Sequence, residues 1–303
     1  MRDPKTMTTI TRPIDDLAAA VNRAKPPNLA APQGRRSPKM RPSRTLRMPV
    51  TWTARTVMLR RPMAAAMQTS FLAVVCHRTK PAPATADADF IAVDDQSTER
   101  YLCKGQARAH HLPATEWICA HIALACGLPV PPFAIVEMAT QPGVLYFGSQ
   151  WQGGGLDFTQ AMNRVSNPEI FGRVFAADLF VHNVDRHMNN YLYLDLAGDV
   201  VARVIDFSRA WFHNGWPLPP LPLPSACNTM ACAPLWMTRH SAHYVKPTAM
   251  LDTIASLPND WMLNTLSLMP DAWLSQEERA QVQEWWVGSA RRARVESAKS
   301  NLP

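Results

Sequence analysis

The spacing of apolar and polar positions divides the chain. Residues 1–49 show no apolar period, and patterned segments begin after Val50. "TSFLAVV" (69–75), "DFIAVDD" (89–95) and "RYLCKG" (100–105) are short β-branched and aromatic runs, and each predicts a strand. "LPATEWICAHIALACGLPVPP" (112–132) predicts a helix. Pro113 suits its first turn, Ile118 and Ile122 share a face, Gly127 suits the stop, and Pro129, Pro131 and Pro132 prevent continuation. "FAIVEM" (133–138) and "GVLYFGS" (143–149) predict two further strands around a turn at 141–143. The order is β-β-β-α-β-β with short antiparallel connections.

After the glycine cluster at 153–155 the rhythm changes. "PEIFGRVFAADLFVHN" (168–183) places Phe171, Val174, Phe175, Leu179 and Val181 near a helical period. "YLYLDL" and "VVARVIDF" predict a hairpin around Ala197-Gly198-Asp199. "HNGWPLPPLPLPSA" (213–226) reads as a stiff, polyproline-biased loop laid over the surface. The last 60 residues read as helices, one opening with a capping box at Ser275 and Glu278. Of the adjacent Trp285 and Trp286, the expectation is core packing with one ring partly exposed. No internal repeat is present. The expected fold class is α+β: a small β-rich first lobe at 50–152, a mainly helical second lobe at 153–303, and a cleft between them as the natural site.

Composition changes this picture mainly at the N-terminus. Hydrophobic residues make up 47% of the 303, and the net charge is +7. Residues 1–61 carry 14 Lys and Arg against 3 Asp, whereas the remaining residues carry 17 Lys and Arg against 21 Asp and Glu. The basic balance therefore belongs to the arm. Rich in Pro, Arg and Ser, residues 1–49 bury too little to offset chain entropy and are expected to be disordered. The arm reads either as a tether for nucleic acid or an acidic partner, or as a solvated extension, and the second is preferred. No stretch of 18 apolar residues predicts a membrane span, and no secretory signal is evident, so a cytoplasmic protein is expected. The six cysteines form no C-x-x-C and read as reduced thiols. Cys227, Cys232, His240 and His243 are spaced 5, 8 and 3 positions apart, unlike the usual zinc patterns.

The candidate chemistry lies in "VDRHMNN" (184–190) and "VIDFSRA" (204–210). Phosphoryl transfer needs a carboxylate to orient a hydroxyl nucleophile, and oxygen ligands to hold Mg²⁺ against nucleotide phosphates. Asp185, Asn190 and Asp206 supply such a set. The spacing D-x-x-x-x-N, then a hairpin ending in I-D-F, is the order kinases use for base and metal ligands. Lys104 ends a strand, where it can reach phosphates, and Glu116 on the following helix can pair with it. Alone, each has an ordinary reading: a strand-end lysine, and a glutamate complementing a helix dipole. In this order across two lobes they form one constellation.

With "RYLCKG" and "PATEWICAHIALACGLPVPP", these blocks resemble the HipA-like kinases, of the short stand-alone kind. The resemblance covers about residues 55–215. It implies a two-lobed protein-kinase-like fold using ATP and Mg²⁺, with Asp185 as catalytic base, Asn190 and Asp206 as metal ligands, Lys104 as the phosphate-binding lysine and Glu116 as its partner. "GVLYFGS" would lead to a hinge near Gln150–Gly153 facing adenine. "LRRPMAAAMQTSFLAVV" looks like the family's opening strand pair and phosphate loop, where Thr69 and Ser70 could donate to phosphate. That loop contains no glycine, so close backbone approach to phosphate is opposed. Ser208 stands where D-F-G has its glycine. Arg186 and His187 match the family, and His187 is read as a loop-stabilising residue. Three readings follow. The first is a protein Ser/Thr kinase acting on an unidentified acceptor. The second is a small-molecule phosphotransferase like the aminoglycoside kinases, disfavoured because Asn183-Val184 rather than His-Gly precedes Asp185. The third is a catalytically weak kinase-fold binding module whose arm contacts nucleic acid.

Overall fold

Side-chain alternation along one strand decides which residues reach the site. In β4 (Arg100–Lys104), Tyr101 and Cys103 point into a small apolar cluster with Cys76, Ala92, Val136, Met138 and Tyr146. Leu102 and Lys104 necessarily face the other way, because strand side chains alternate. A computed structural model of the chain describes residues 73–82, 87–94, 97–153, 155–239 and 247–303. These belong to one compact unit, Ala65–Pro303.

Among the described residues the sheet has six strands: β1 (Val74–Cys76), β2 (Arg78–Pro81), β3 (Phe90–Val93), β4, β5 (Phe133–Met138) and β6 (Leu145–Gln150). Their spatial order is β1-β5-β6-β4-β3-β2. All neighbours are antiparallel except β1 and β5, which pair in parallel with Val74 opposite Val136. Gly148 of β6 lies opposite Cys103 and Ala134, and a Cβ there would collide with the Val136 side chain and approach Tyr101 Cβ within 3.1 Å. The close approach of the strands therefore requires glycine at this position.

Between β4 and β5 runs α1 (Leu112–Ala125), with Pro in its first turn. It ends in a Schellman motif: Gly127, at φ +68°, donates to Leu124 O at 2.9 Å, and Leu128 N–H donates to Ala123 O at 2.8 Å. A short α2 (Phe158–Ala161) precedes α3 (Glu169–Val181), which is buried around nearly its whole circumference. A helix apolar all round belongs inside a domain. The β7 (Tyr191–Leu196) and β8 (Asp199–Val204) hairpin turns through Ala197 and Gly198, both at positive φ, as a type I′ turn requires. Helices α4 (Asn228–Arg239), α5 (Pro247–Ser256), α6 (Asn259–Ser267), α7 (Gln276–Val287) and α8 (Ser289–Ser300) complete the chain. The fold is α+β, as its alternating and helical periods predict. The Ser275–Glu278 capping box opens α7; Trp286 is fully buried and Trp285 partly so. One apolar core runs without interruption from α1 and the sheet into α3 and the C-terminal helices.

The proline-rich connector is more than a surface strap. Leu223 is buried, and Trp216, Leu218 and Leu221 pack on the core, because apolar residues alternate with the prolines. Arg294 of α8 reaches into the same region. It donates to Leu179 O at 2.7 Å, Phe180 O at 3.0 Å and Pro219 O at 2.6 Å, closing the end of α3. Its Nη2 lies 3.1 Å from Nδ1 of His182, the left-handed residue that ends α3 at φ +57°.

That packing makes stability pH-dependent. His182 titrates near pH 4, lowered first by burial and then by the Arg294 charge; burial lowers His121 to about 4 as well. His121 Nε2 is buried without a hydrogen-bond partner. Both rings stay neutral when folded, while the unfolded chain takes up protons below its histidine value of 6.5. The contribution is therefore complete above pH 6.5 and lost as pH falls toward 4. The unfolding free energy from urea denaturation is expected to fall between pH 7 and pH 5 by about 1–2 kcal/mol, allowing for partial exposure. His182→Gln should flatten the slope; a parent chain equally stable at both pH values would contradict this account.

Candidate active site

Lys104 ends β4 on the face opposite the small cluster, and α1 crosses that face with Glu116 pointing back. Lys104 Nζ lies 2.5 Å from Glu116 Oε1, and these side chains are only 6% and 3% exposed. The same ammonium lies 2.8 Å from Asp206 Oδ1. Residues 104, 116 and 206 thus come from β4, α1 and the turn after β8. Glu116 Oε1 also accepts the Phe207 N–H at 3.1 Å, tying α1 to that turn.

Asp206 sits at φ +62°, a left-handed conformation that a short polar residue tolerates. Its Oδ1 accepts the Ser208 N–H at 3.2 Å and lies 2.7 Å from the Ser208 hydroxyl. Among the described residues, the hydrogen bonds to this carboxylate all fall on Oδ1. Burial opposes its charge, but the Lys104 ammonium and the Ser208 donors outweigh burial and hold the carboxyl far below the usual range. Burial likewise opposes the charge on Lys104, and the Asp206 and Glu116 carboxylates raise its pKa regardless. Glu116 is pushed upward by burial against the pull of Lys104.

Asp185 lies on the loop between α3 and a 3₁₀ turn at Met188–Asn190. A buried framework holds that loop. Arg186, fully buried, forms a bidentate pair with Asp178 of α3 at 2.9 and 3.1 Å. Its Nη1 also donates to the Asn190 carbonyl at 3.2 Å and to the Ile205 carbonyl. Arg186 thus fastens the segments that carry Asn190 and Asp206 to α3 from beneath, with its guanidinium 4.8 Å from the centre of the Phe207 ring. His187 Nδ1 accepts the Asn189 N–H at 3.2 Å, so this histidine stabilises the loop. Asn190 donates Nδ2 to the Asp185 carbonyl at 2.8 Å, which leaves Oδ1 as its acceptor.

Lys104, Glu116, Asp185, Asn190 and Asp206 all line one cavity of about 350 Å³. Its apolar wall includes Leu102, Val130, Phe147, Leu192 and Val204. Gln150, Trp151 and Gln152 lie along its edge. Two amides at this edge are engaged by the protein: Gln150 N–H donates to Pro132 O at 2.7 Å, and Trp151 N–H to Arg100 O at 2.6 Å. Thr69, Ser70 and the rest of 61–70 lie outside the described residues, as do the arm at 1–49, Gly154, His240 and His243. Among the described residues, no group of three or more His, Cys, Asp or Glu is placed to hold a metal ion, and no helix is long and apolar enough to cross a membrane. All six cysteines are free thiols.

Asp87 was not anticipated. It precedes β3 and lines the cavity, with Oδ2 2.7 Å from the Ser208 hydroxyl and Oδ1 accepting from Arg209 at 3.0 Å. Its only sequence signal is position, just before the hairpin neighbour of the lysine strand. Asn228 and Thr229, which contact the Asp185 loop, carried no signal either. They lie more than forty residues from that loop, with no spacing that links them to it.

A family model described as HipA-like kinase matches residues 90–288. The chain belongs to this family. It is therefore a kinase-like phosphotransferase, and the family match includes every site residue placed above except Asp87. No curated protein matches the chain significantly. Among solved structures it is similar to a Helicobacter pylori proinflammatory kinase, CtkA, at 12% identity, covering 76% of this chain and 99% of that one with a TM-score of 0.45. It is also similar to the HipA of Shewanella oneidensis MR-1, solved with HipB and operator DNA. There the identity is 11%, the coverage 66% and 58%, and the TM-score 0.41.

Proposed function

We propose that the chain is an ATP- and Mg²⁺-dependent kinase that transfers the γ-phosphoryl group to a protein serine or threonine hydroxyl. The observation that carries this reading is the single cavity into which Lys104, Glu116 and Asp206 converge, with Asp185 and Asn190 on the same wall. Asp185 accepts the acceptor's hydroxyl proton. Lys104, oriented by Glu116, meets the nucleotide phosphates. Thr69 and Ser70 are candidates for further phosphate contacts. The nucleotide base occupies the apolar end beside Leu102 and Leu192. With the Gln150 and Trp151 amides engaged, contacts to the base edge fall to Gln152 and to backbone carbonyls. The lobe boundary falls at 152/153, where this edge is crossed.

The residues present fit a divalent cation. Asp206 keeps Oδ2 free of the bonds made by Oδ1, and Asn190 keeps its amide oxygen as an acceptor. One carboxylate and one amide oxygen, completed by phosphate and water, suit hard, oxygen-seeking Mg²⁺. Asp206 and Asn190 would hold the ion, and its charge would offset that of the phosphates. The protein-acceptor reading rests on Asn183-Val184 before Asp185, where the aminoglycoside-kinase-like enzymes carry His-Gly.

Mg-ATP at 100 times its dissociation constant is expected to stabilise the chain by roughly 2.7 kcal/mol, seen as a rise in melting temperature. Asp206→Asn is expected to lose most of the Mg²⁺-dependent part of that rise. An unchanged melting temperature at millimolar Mg-ATP would reject the nucleotide site, and a parental response in Asp206→Asn would reject the metal assignment. Phosphoserine or phosphothreonine in the chain or in casein after incubation, read by mass spectrometry, tests the acceptor class; phosphate found only on small alcohols would overturn it.

A further inference from the structure

The first turn of α4 is bonded to every residue of the segment that carries Asp185. Thr229 N–H donates to Val184 O at 3.4 Å, and its hydroxyl donates to Asn183 O at 2.7 Å. The same hydroxyl oxygen accepts the Arg186 N–H at 2.9 Å. Beside it, Asn228 Nδ2 donates to Asp185 Oδ1 at 2.5 Å. Residues 183, 184, 185 and 186 are thus all held from one place. That place lies beyond the proline-rich connector and outside both sequence blocks that supply the base and metal ligands.

We propose that Asn228 is a positioning residue for Asp185: its amide holds one carboxylate oxygen so that the other is presented to the acceptor hydroxyl. The proposal rests on the phosphotransferase reading and extends it to a part of the chain with no recognised motif. The two partners divide the task. Thr229 is fully buried and fixes the backbone of the loop. Asn228 is exposed, so its amide would otherwise be satisfied by water, and its contact restrains the rotation of the Asp185 carboxylate. An amide suits this role because it donates without adding a charge. A lysine here would neutralise the base; a hydrophobic residue would leave the carboxylate free to rotate. Holding a reacting group within a near-attack geometry is worth large rate factors, and small misplacement loses them.

The test uses the full chain and Mg-ATP, reading ADP release with casein as acceptor and the Mg-ATP dissociation constant separately. Asn228→Leu keeps the approximate volume and removes the donor. Its kcat is expected to fall about 10- to 100-fold, the scale of misplacement effects. Its Mg-ATP dissociation constant and melting temperature should stay near parental values, since an exposed residue is changed. Asn228→Gln, which restores an amide donor, is expected to recover part of the loss. Adding Asn228→Leu to Asp185→Asn should lower the residual rate no further, because the amide acts only through the carboxylate. A parental kcat in Asn228→Leu overturns the proposal. So does a raised kcat, which would mean that the amide blocks the acceptor's place, and so does a loss that appears equally in the Asp185→Asn background. A parent chain with no ADP release overturns the phosphotransferase reading and this proposal together, whereas a working parent with an unaffected Asn228→Leu overturns the proposal alone.

Discussion

Asp185→Asn is expected to reduce turnover by about 10²- to 10⁴-fold while leaving Mg-ATP binding close to parental, the range found for loss of a general base. The two effects separate because of where Asp185 sits. The Lys104 ammonium, proposed to meet the phosphates, is held by Glu116 and Asp206, not by Asp185. Asp185 is bonded to its own loop and to Asn228: its N–H donates to Asn183 Oδ1 at 3.2 Å, its carbonyl accepts from Asn190, and its carboxylate accepts from Asn228. The isosteric amide retains the shape of the loop but has no basic oxygen to accept a proton. A group that acts mainly in the transition state lowers kcat and kcat/KM together and leaves ground-state binding alone. Calorimetric titration with Mg-ATP and a rate of ADP release on the same sample decide the matter. Residual turnover within threefold of the parent would remove Asp185 from the role of base. A collapse of Mg-ATP affinity would instead show that it belongs to the metal or phosphate site.

The elements that could be read from the sequence are those fixed by local rules. The strand runs at 90–93, 100–104, 133–138 and 145–150 combine β-branched and aromatic residues with turn residues at their ends, and α1 carries both its proline start and its glycine stop. The candidate site was readable for a similar reason. Asp185, Asn190 and Asp206 lie within 22 positions of one another, and the chemistry of metal and base leaves few residue types to choose from. What local rules do not encode is pairing at a distance. The parallel contact of β1 with β5 joins residues about sixty positions apart, and no alternation in "VVC" announces it. Asp87 reaches Ser208 across 121 positions, and Asn228 reaches Asp185 across 43. The proline-rich connector shows the same gap. Its composition describes a stiff chain, while the burial of Leu223 depends on the hydrophobic floor beneath it. Buried arginines were the least visible. Arg186 and Arg294 look like solvated charges until the carbonyls they satisfy are known.

Arg186→Ala is expected to destabilise the chain by about 3–5 kcal/mol, because breaking a buried ion pair from one side strands its partner. The partner is Asp178, with a side chain 0% exposed in the last turn of α3. Burial already pushes the Asp178 carboxyl upward, and the Arg186 charge with the Asn183 amide opposes that shift. Without the guanidinium, the carboxylate either stays charged in an apolar core or takes a proton, and both cost folding free energy. The carbonyls of Asn190 and Ile205 lose their donor at the same time. Those two carbonyls flank the Asn190 and Asp206 side chains, so the damage should reach the cavity before global unfolding. The double variant Arg186→Met with Asp178→Leu replaces the pair by apolar volume and removes the stranded charge. It is expected to recover a large part of the stability in urea denaturation, since such exchanges are often neutral or better. It should not recover Mg-ATP affinity, because a methionine cannot hold together the two segments that carry Asn190 and Asp206. A double variant that regains both would show that Arg186 serves the core alone, and an Arg186→Ala chain within 1 kcal/mol of the parent would show that water or another donor takes its place.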